Sequence, residues 1–155
     1  MNEFSKRAIS AFPPSLSAFA VIFLLSFVSL NTSYGYIIAV SFGATMVILF
    51  VYPTSSFAQP KNIFFGHVIT AMSGIFFLEI SLPLTLAIAA AVSVGIFLMI
   101  ISNLVHPPAG GNPIAILLGG HNLDFLFPTI LFGTILIILL GVIINRYVLK
   151  IKYPY

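Results

Sequence analysis

Long runs of residues with almost no charge constrain this chain more than any motif does. Pro14 to Leu30, Tyr34 to Tyr52, Asn62 to Ile80, Leu82 to about Val105 and Phe125 to Leu149 are each close to the ~20 apolar residues that a membrane-spanning helix needs. Charged residues make up 6% of the chain, against about 25% in a soluble domain, so water could not solvate it as a globule. The mean hydropathy of +1.17 agrees. The expectation is an integral, all-α membrane protein with the lipid bilayer as its solvent. A net charge of +3 would suggest nucleic acid in a soluble chain. Here the cations are scattered between apolar runs and read as topology signals, and the 16 phenylalanines suit lipid and packing. No nucleic-acid partner is expected. Cysteine is absent, and the three histidines lie far apart beside only three acids, so neither a metal site nor a cofactor is expected. MNEFSKRAIS carries two cations, but no small-residue cleavage site follows the first apolar run, so a removable signal peptide is not expected.

The cations decide the number of crossings. Lys6 and Arg7 precede the first run, Lys61 lies between the second and third, and Arg146, Lys150 and Lys152 close the chain. Five crossings would put the two basic ends on opposite sides. Six put every cation on one side, the cytoplasmic one by the positive-inside rule. The loops NTSYG, EISL and GGHNLD, with Glu79 and Asp124, then fall on the other side. The stretch 106–123 must therefore cross, although its prolines and glycines oppose a continuous helix. About eight helical residues and about six extended ones would reach ~30 Å. The expected fold is a bundle of five full spans plus one broken crossing element.

A shift of 67 residues superposes IFFG (63–66) on ILFG (130–133), Gly74 on Gly141 and Gly43 on Gly110. One transmembrane domain, 1–155, would then contain repeats at about 14–80 and 82–149. Three elements in each make the second repeat run upside down, an architecture that places a substrate site at the midplane where broken helices meet.

HPPAG at 106–110 resembles the signature of the HPP family of small integral membrane proteins. FGAT at 42–45 and FAQPKNIFFGH at 57–67 resemble that family's other landmarks. The resemblance runs from about Ser41 to Arg146. It implies a membrane bundle usually described with four helices, and nitrite transport by members from plastids and cyanobacteria. Some members carry a CBS-domain extension, which is not expected within these 155 residues. This chain departs in reading HPPAGGN where HPPAGAT is common, and in having Lys61 where arginine is usual.

A helix that begins inside a membrane exposes unpaired N–H groups and a positive dipole end, which attract an anion. Pro108 could begin such a helix, leaving Gly110 and Gly111 as bare donors. Alternatively Asn112 could cap a helix beginning at Pro113. His106, Pro107, Pro108, Gly110, Gly111 and Asn112 are therefore candidate substrate-binding residues, with Ser41, Gly43 and Thr45 as counterparts in the other repeat. His106 could donate to an anion or carry a proton with it. It could equally be a structural histidine bonded to a carbonyl that the prolines free. His67, facing Ala71 and Gly74, is a pathway residue or an interhelical hydrogen bond. Gln59, Lys61 and Asn62 form a candidate entrance, or Lys61 is a plain topology cation. Ala87, Ala91 and Gly95, spaced by four, form a structural small-residue face.

No Ser-His-Asp order, phosphate loop or carboxylate pair appears, so an enzyme is not expected. The expected function is transport of a small inorganic anion, nitrite first, in a bacterial inner membrane with both termini cytoplasmic. The alternative is a non-transporting structural or regulatory membrane subunit. A chain this short is also expected to form a homo-oligomer.

Overall fold

The computed structural model describes residues 1–31 and 38–155. The described residues form helices α1 (Glu3–Asn31), α2 (Val40–Val51), α3 (Pro60–Leu78), α4 (Leu84–Ile101), α5 (Asn112–Gly119) and α6 (Leu123–Val148), with no strand among them. Within α6 the backbone widens to π-helical geometry at Leu126–Phe132 and Ile144–Val148.

The all-helical expectation holds, but the number of full spans differs. Among the described residues four helices, α1, α3, α4 and α6, are long and apolar enough to cross a bilayer. The second apolar run is helical only over the 12 residues of α2. Those residues rise about 18 Å, short of the ~30 Å hydrocarbon core. Ala39, just before α2, is extended (φ −109, ψ 148), and Pro53 follows its end. Apolar content measures solubility in lipid, whereas the backbone angle at Ala39 is set by what α2 meets. The loop NTSYG and the expected start at Tyr34 fall on or run into residues 32–37, outside the described residues.

The HPPAGGN stretch is broken as expected. His106 is extended, Pro107–Gly111 form a 3-10 turn, and α5 has eight residues before Gly120 ends it at φ +65. That left-handed angle suits glycine, which has no Cβ to clash. Two local expectations change. Asn112 does not cap a helix; it lies inside one (φ −61, ψ −45), with its side chain turned into the protein. The break is also a 3-10 turn running through the expected donors Gly110 and Gly111, with the Ala109 N–H donating to the His106 carbonyl at 3.0 Å and the Asn112 N–H to the Ala109 carbonyl.

Helix α3 is the central pillar, packed against α4, α5, α6 and the 3-10 turn. Small residues set its approach distances. A Cβ on Gly74 would lie 2.9 Å from the Pro113 Cα, and one on Gly95 would lie 3.2 Å from the Thr70 methyl. Ala87, Ala91 and Gly95 are buried facing α3, and Ser73 Oγ donates to the Ala91 carbonyl at 2.8 Å. Helix α6 grips α2 similarly: a Cβ on Gly141 would meet the Leu49 side chain, and Asn145 Nδ2 donates to the Leu49 carbonyl at 3.2 Å. Helix α1 buries only Ser17, Val21, Leu25 and Ser29, a ridge at spacing four. Its Phe19, Phe23 and Phe27 stack in series on the exposed side, where lipid takes the place of a protein core.

Candidate functional site where two short helices begin

The starts of α2 and α5 meet inside the bundle. Ser41 Oγ, in the first turn of α2, donates to Asn112 Oδ1 at 2.7 Å. One turn further, Thr45 Oγ1 lies 3.0 Å from His106 Nε2 and 3.2 Å from His67 Nε2. The Asn112 amide reaches His67 Nδ1 at 2.9 Å, the His67 carbonyl at 3.2 Å and Thr70 Oγ1 at 3.1 Å. His106 Nδ1 lies 2.7 Å from the Phe57 carbonyl, in the turn before α3. Ser41, Thr45, His67, Thr70, His106 and Asn112 are all buried.

Two backbone carbonyls fix the direction of every bond in this network. A carbonyl only accepts, so Phe57 requires a proton on His106 Nδ1. In the neutral ring His106 Nε2 is then an acceptor, and Thr45 donates to it. The His67 carbonyl likewise turns the Asn112 NH2 toward α3, which makes His67 Nδ1 an acceptor and its Nε2 a donor to Thr45. The chain runs Ser41 to Asn112 to His67 to Thr45 to His106 to Phe57, with each proton assigned. It contains no lysine, arginine or carboxylate. A fully bonded network of this kind in a low-dielectric interior is rigid, and any group left unpaired there is costly.

Two recesses border its ends. One, of about 470 Å³, is bordered by Ile38, Ala39, Val40, His121, Asp124 and Thr129, next to Ser41. The first turn of α2 has no intrahelical partner for the Val40 and Ser41 N–H groups. The other, of about 370 Å³, is bordered by Phe57, Gln59, Lys61, Asn62, Asn103 and Tyr155. The expected entrance residues thus do converge, although their roles diverge. Lys61 is exposed. Gln59 is buried, donating to the Pro53 and Ser55 carbonyls and accepting from the Tyr155 N–H at 2.7 Å. Asn62 Nδ2 donates to the Val105 carbonyl, while its buried Oδ1 has no partner.

The remaining candidates lie outside the network. Pro107 and Pro108 border a shallow apolar recess beside Ala44, Val47 and Ile48. Gly43 borders another with Ile22, and a Cβ on Gly43, Gly110 or Gly111 would meet nothing within 4 Å. Space at these glycines is therefore not what the packing needs. The tight position is Gly66, where a Cβ would lie 2.8 Å from the His106 Cβ. Sequence reasoning missed Gly66 and Thr70, although Thr70 stands three residues beyond His67 on the same helical face. It also missed the Phe57 carbonyl, because no residue type marks a backbone acceptor.

The chain end was missed as well. Tyr153 is fully buried, its hydroxyl donates to the Ala58 carbonyl at 2.6 Å, and Arg146 Nε donates to the Tyr153 carbonyl. Burial pushes the Tyr153 phenol above its ordinary value of 10.0. A raised folded-state value means that this latch is at full strength below about pH 10 and weakens as pH rises beyond it. Hydrogen exchange at residues 151–155 should speed up above pH 10 in the wild type. Tyr153→Phe should exchange faster already at pH 7, because the bond to Ala58 is gone.

Comparison with known proteins places these features in a family. The model of the HPP transmembrane region matches residues 5–154. Two curated transmembrane proteins of Dictyostelium discoideum are 34% and 30% identical over 123 residues, 74% of this chain. The chain spans less than half of their lengths, 43% and 39%. No solved structure gives a significant match. The family model covers the short helices, the HPPAGGN break and the buried network together, and the chain belongs to the HPP family of transmembrane proteins.

Proposed function

We propose that this protein transports a small inorganic anion, nitrite first, through the junction of α2 and α5. The observation that carries the reading is a continuous buried polar chain whose two ends border separate recesses. Val40 borders one beside Ser41, and Phe57, the acceptor for His106, borders the other. Hydroxyl, amide and imidazole donors suit a small oxyanion, and the first turn of α2 adds a positive dipole end.

An inverted repeat accounts for the arrangement. Pairing α1, α2 and α3 with α4, α5 and α6 makes the two short helices counterparts that begin at the same place. Gly74 and Gly141, related by the 67-residue shift, then play matching parts, since α3 packs on α5 at one and α6 on α2 at the other. In this arrangement both termini and Lys61 lie on the cytoplasmic side.

The alternative, a structural or regulatory subunit, is favoured by one observation: the donors of the network are already engaged within the protein. Uptake separates the two readings. Liposomes containing the purified chain should take up nitrite faster than empty ones, and His106→Ala should reduce the rate at least tenfold. Uptake equal to that of empty liposomes would leave the subunit reading standing.

A further inference from the structure

The hydrogen-bond count at the junction says what must accompany an anion. With both imidazoles neutral, each donor of the chain already has an acceptor. An anion brings only acceptors and a negative charge, so at this fully bonded junction it needs an added positive charge beside it. A lone negative charge would also enter a site with no cation among its partners.

Thr45 supplies the means. Its Oγ1 lies 3.1 Å from the Ser41 carbonyl, one turn back, as well as beside both histidines. In the neutral state its proton points to His106 Nε2. If that proton turns to the Ser41 carbonyl, Thr45 can accept from both rings with its two lone pairs, and His106 Nε2 can hold a proton of its own. The hydroxyl thus has two fully satisfied orientations, one for each protonation state of His106. His67 has no such freedom. Its Nδ1 accepts from the Asn112 amide, which the His67 carbonyl and Ser41 lock in place.

We infer that the anion crosses together with one proton, bound at His106 Nε2 and accommodated by rotation of the Thr45 hydroxyl. This rests on the transport reading above. The proton comes from bulk water, converts Nε2 from acceptor to donor, and returns to water on the far side as Thr45 turns back to His106. His67, on α3, is the titratable group facing His106, with ring centroids 5.0 Å apart, so a second proton would be repelled. Helix α2, the turn at 56–58, the segment 102–105 and the 3-10 turn carry no titratable side chain. Lys61 and Tyr155 stand at the recess beyond Phe57. One proton with one monovalent anion makes the cycle electroneutral.

The test uses the full chain in liposomes, sodium nitrite, an internal pH dye and a valinomycin–potassium clamp, with empty liposomes subtracted for leakage of nitrous acid. The expected result is lumen acidification with nitrite uptake. One pH unit of gradient, acid outside, should give about tenfold accumulation at any clamped potential. Accumulation that follows the potential and ignores the pH gradient would overturn the inference and leave transport intact. No flux above empty liposomes removes the transport reading and this inference with it. Thr45→Ser, which keeps the rotating hydroxyl, should retain pH-driven accumulation, whereas Thr45→Val should lose it. Equal coupling in both would also overturn the assignment to Thr45. If Thr45→Val fails to fold, the wild-type clamp experiment decides alone.

Discussion

Asn112→Leu should lower stability by about 2–4 kcal/mol and abolish nitrite uptake. Leucine has the branched shape of asparagine and is bulkier, so no cavity opens and the cost comes from polar groups left behind, with some crowding. Asn112 bridges α2, α3 and α5 through Ser41, His67 and Thr70. Its removal strands the Ser41 hydroxyl and the His67 Nδ1 lone pair, and each buried unpaired group costs about 1–3 kcal/mol. Interhelical bonds measured inside membranes average only about 0.6 kcal/mol, because the unfolded chain finds other partners there. The junction should sit above that average, since the lost groups are fully buried in protein and belong to one network. Ser41→Ala, which strands only Asn112 Oδ1, should cost about 1 kcal/mol. Unfolding in mixed detergent micelles measures both. An Asn112→Leu protein as stable as the wild type would show that the network does not hold the two short helices together.

Gly66→Ala and Gly43→Ala should change stability in opposite directions. Alanine is favoured over glycine in a helix by about 0.8–1.0 kcal/mol, and both residues are helical. At Gly43 nothing lies within 4 Å of the new Cβ, so propensity wins and the protein gains up to about 1 kcal/mol. At Gly66 the new Cβ meets the His106 Cβ at 2.8 Å and the Leu104 carbonyl oxygen at 3.2 Å. The segment 104–106 must then move away from α3, and overpacking of this kind costs about 1–3 kcal/mol. The shift also draws His106 from Thr45 and Phe57, so Gly66→Ala should impair uptake beyond its effect on stability. Thermal unfolding of the two purified variants provides the comparison. Equal midpoints would mean that the 104–106 segment yields freely and does not position His106.

The break at 104–111 was legible because proline and glycine carry their conformational limits in their own covalent structure. Asn112 and His106 were legible as polar residues in an apolar chain, which must find partners once buried. The shortness of α2 was not legible, since the residues before it, YGYIIA, carry no charge and no proline to stop a helix. Gly43 was singled out and Gly66 was not, because an open glycine and a crowded one look alike until the neighbouring segment is placed.

By itself the sequence determined that the chain is helical and lives in lipid, and where α3, α4 and α6 lie; α1 begins at Glu3, eleven residues before the expected Pro14. Those properties follow from apolar content and covalent backbone limits, which are local. Tertiary structure alone decided that Ser41, Thr45, His67, Thr70, His106 and Asn112 share one buried network, and which nitrogen of each histidine carries the proton. That pattern depends on two backbone carbonyls, Phe57 and His67, present at every residue and made specific only by the packing of α2, α3 and α5 around them.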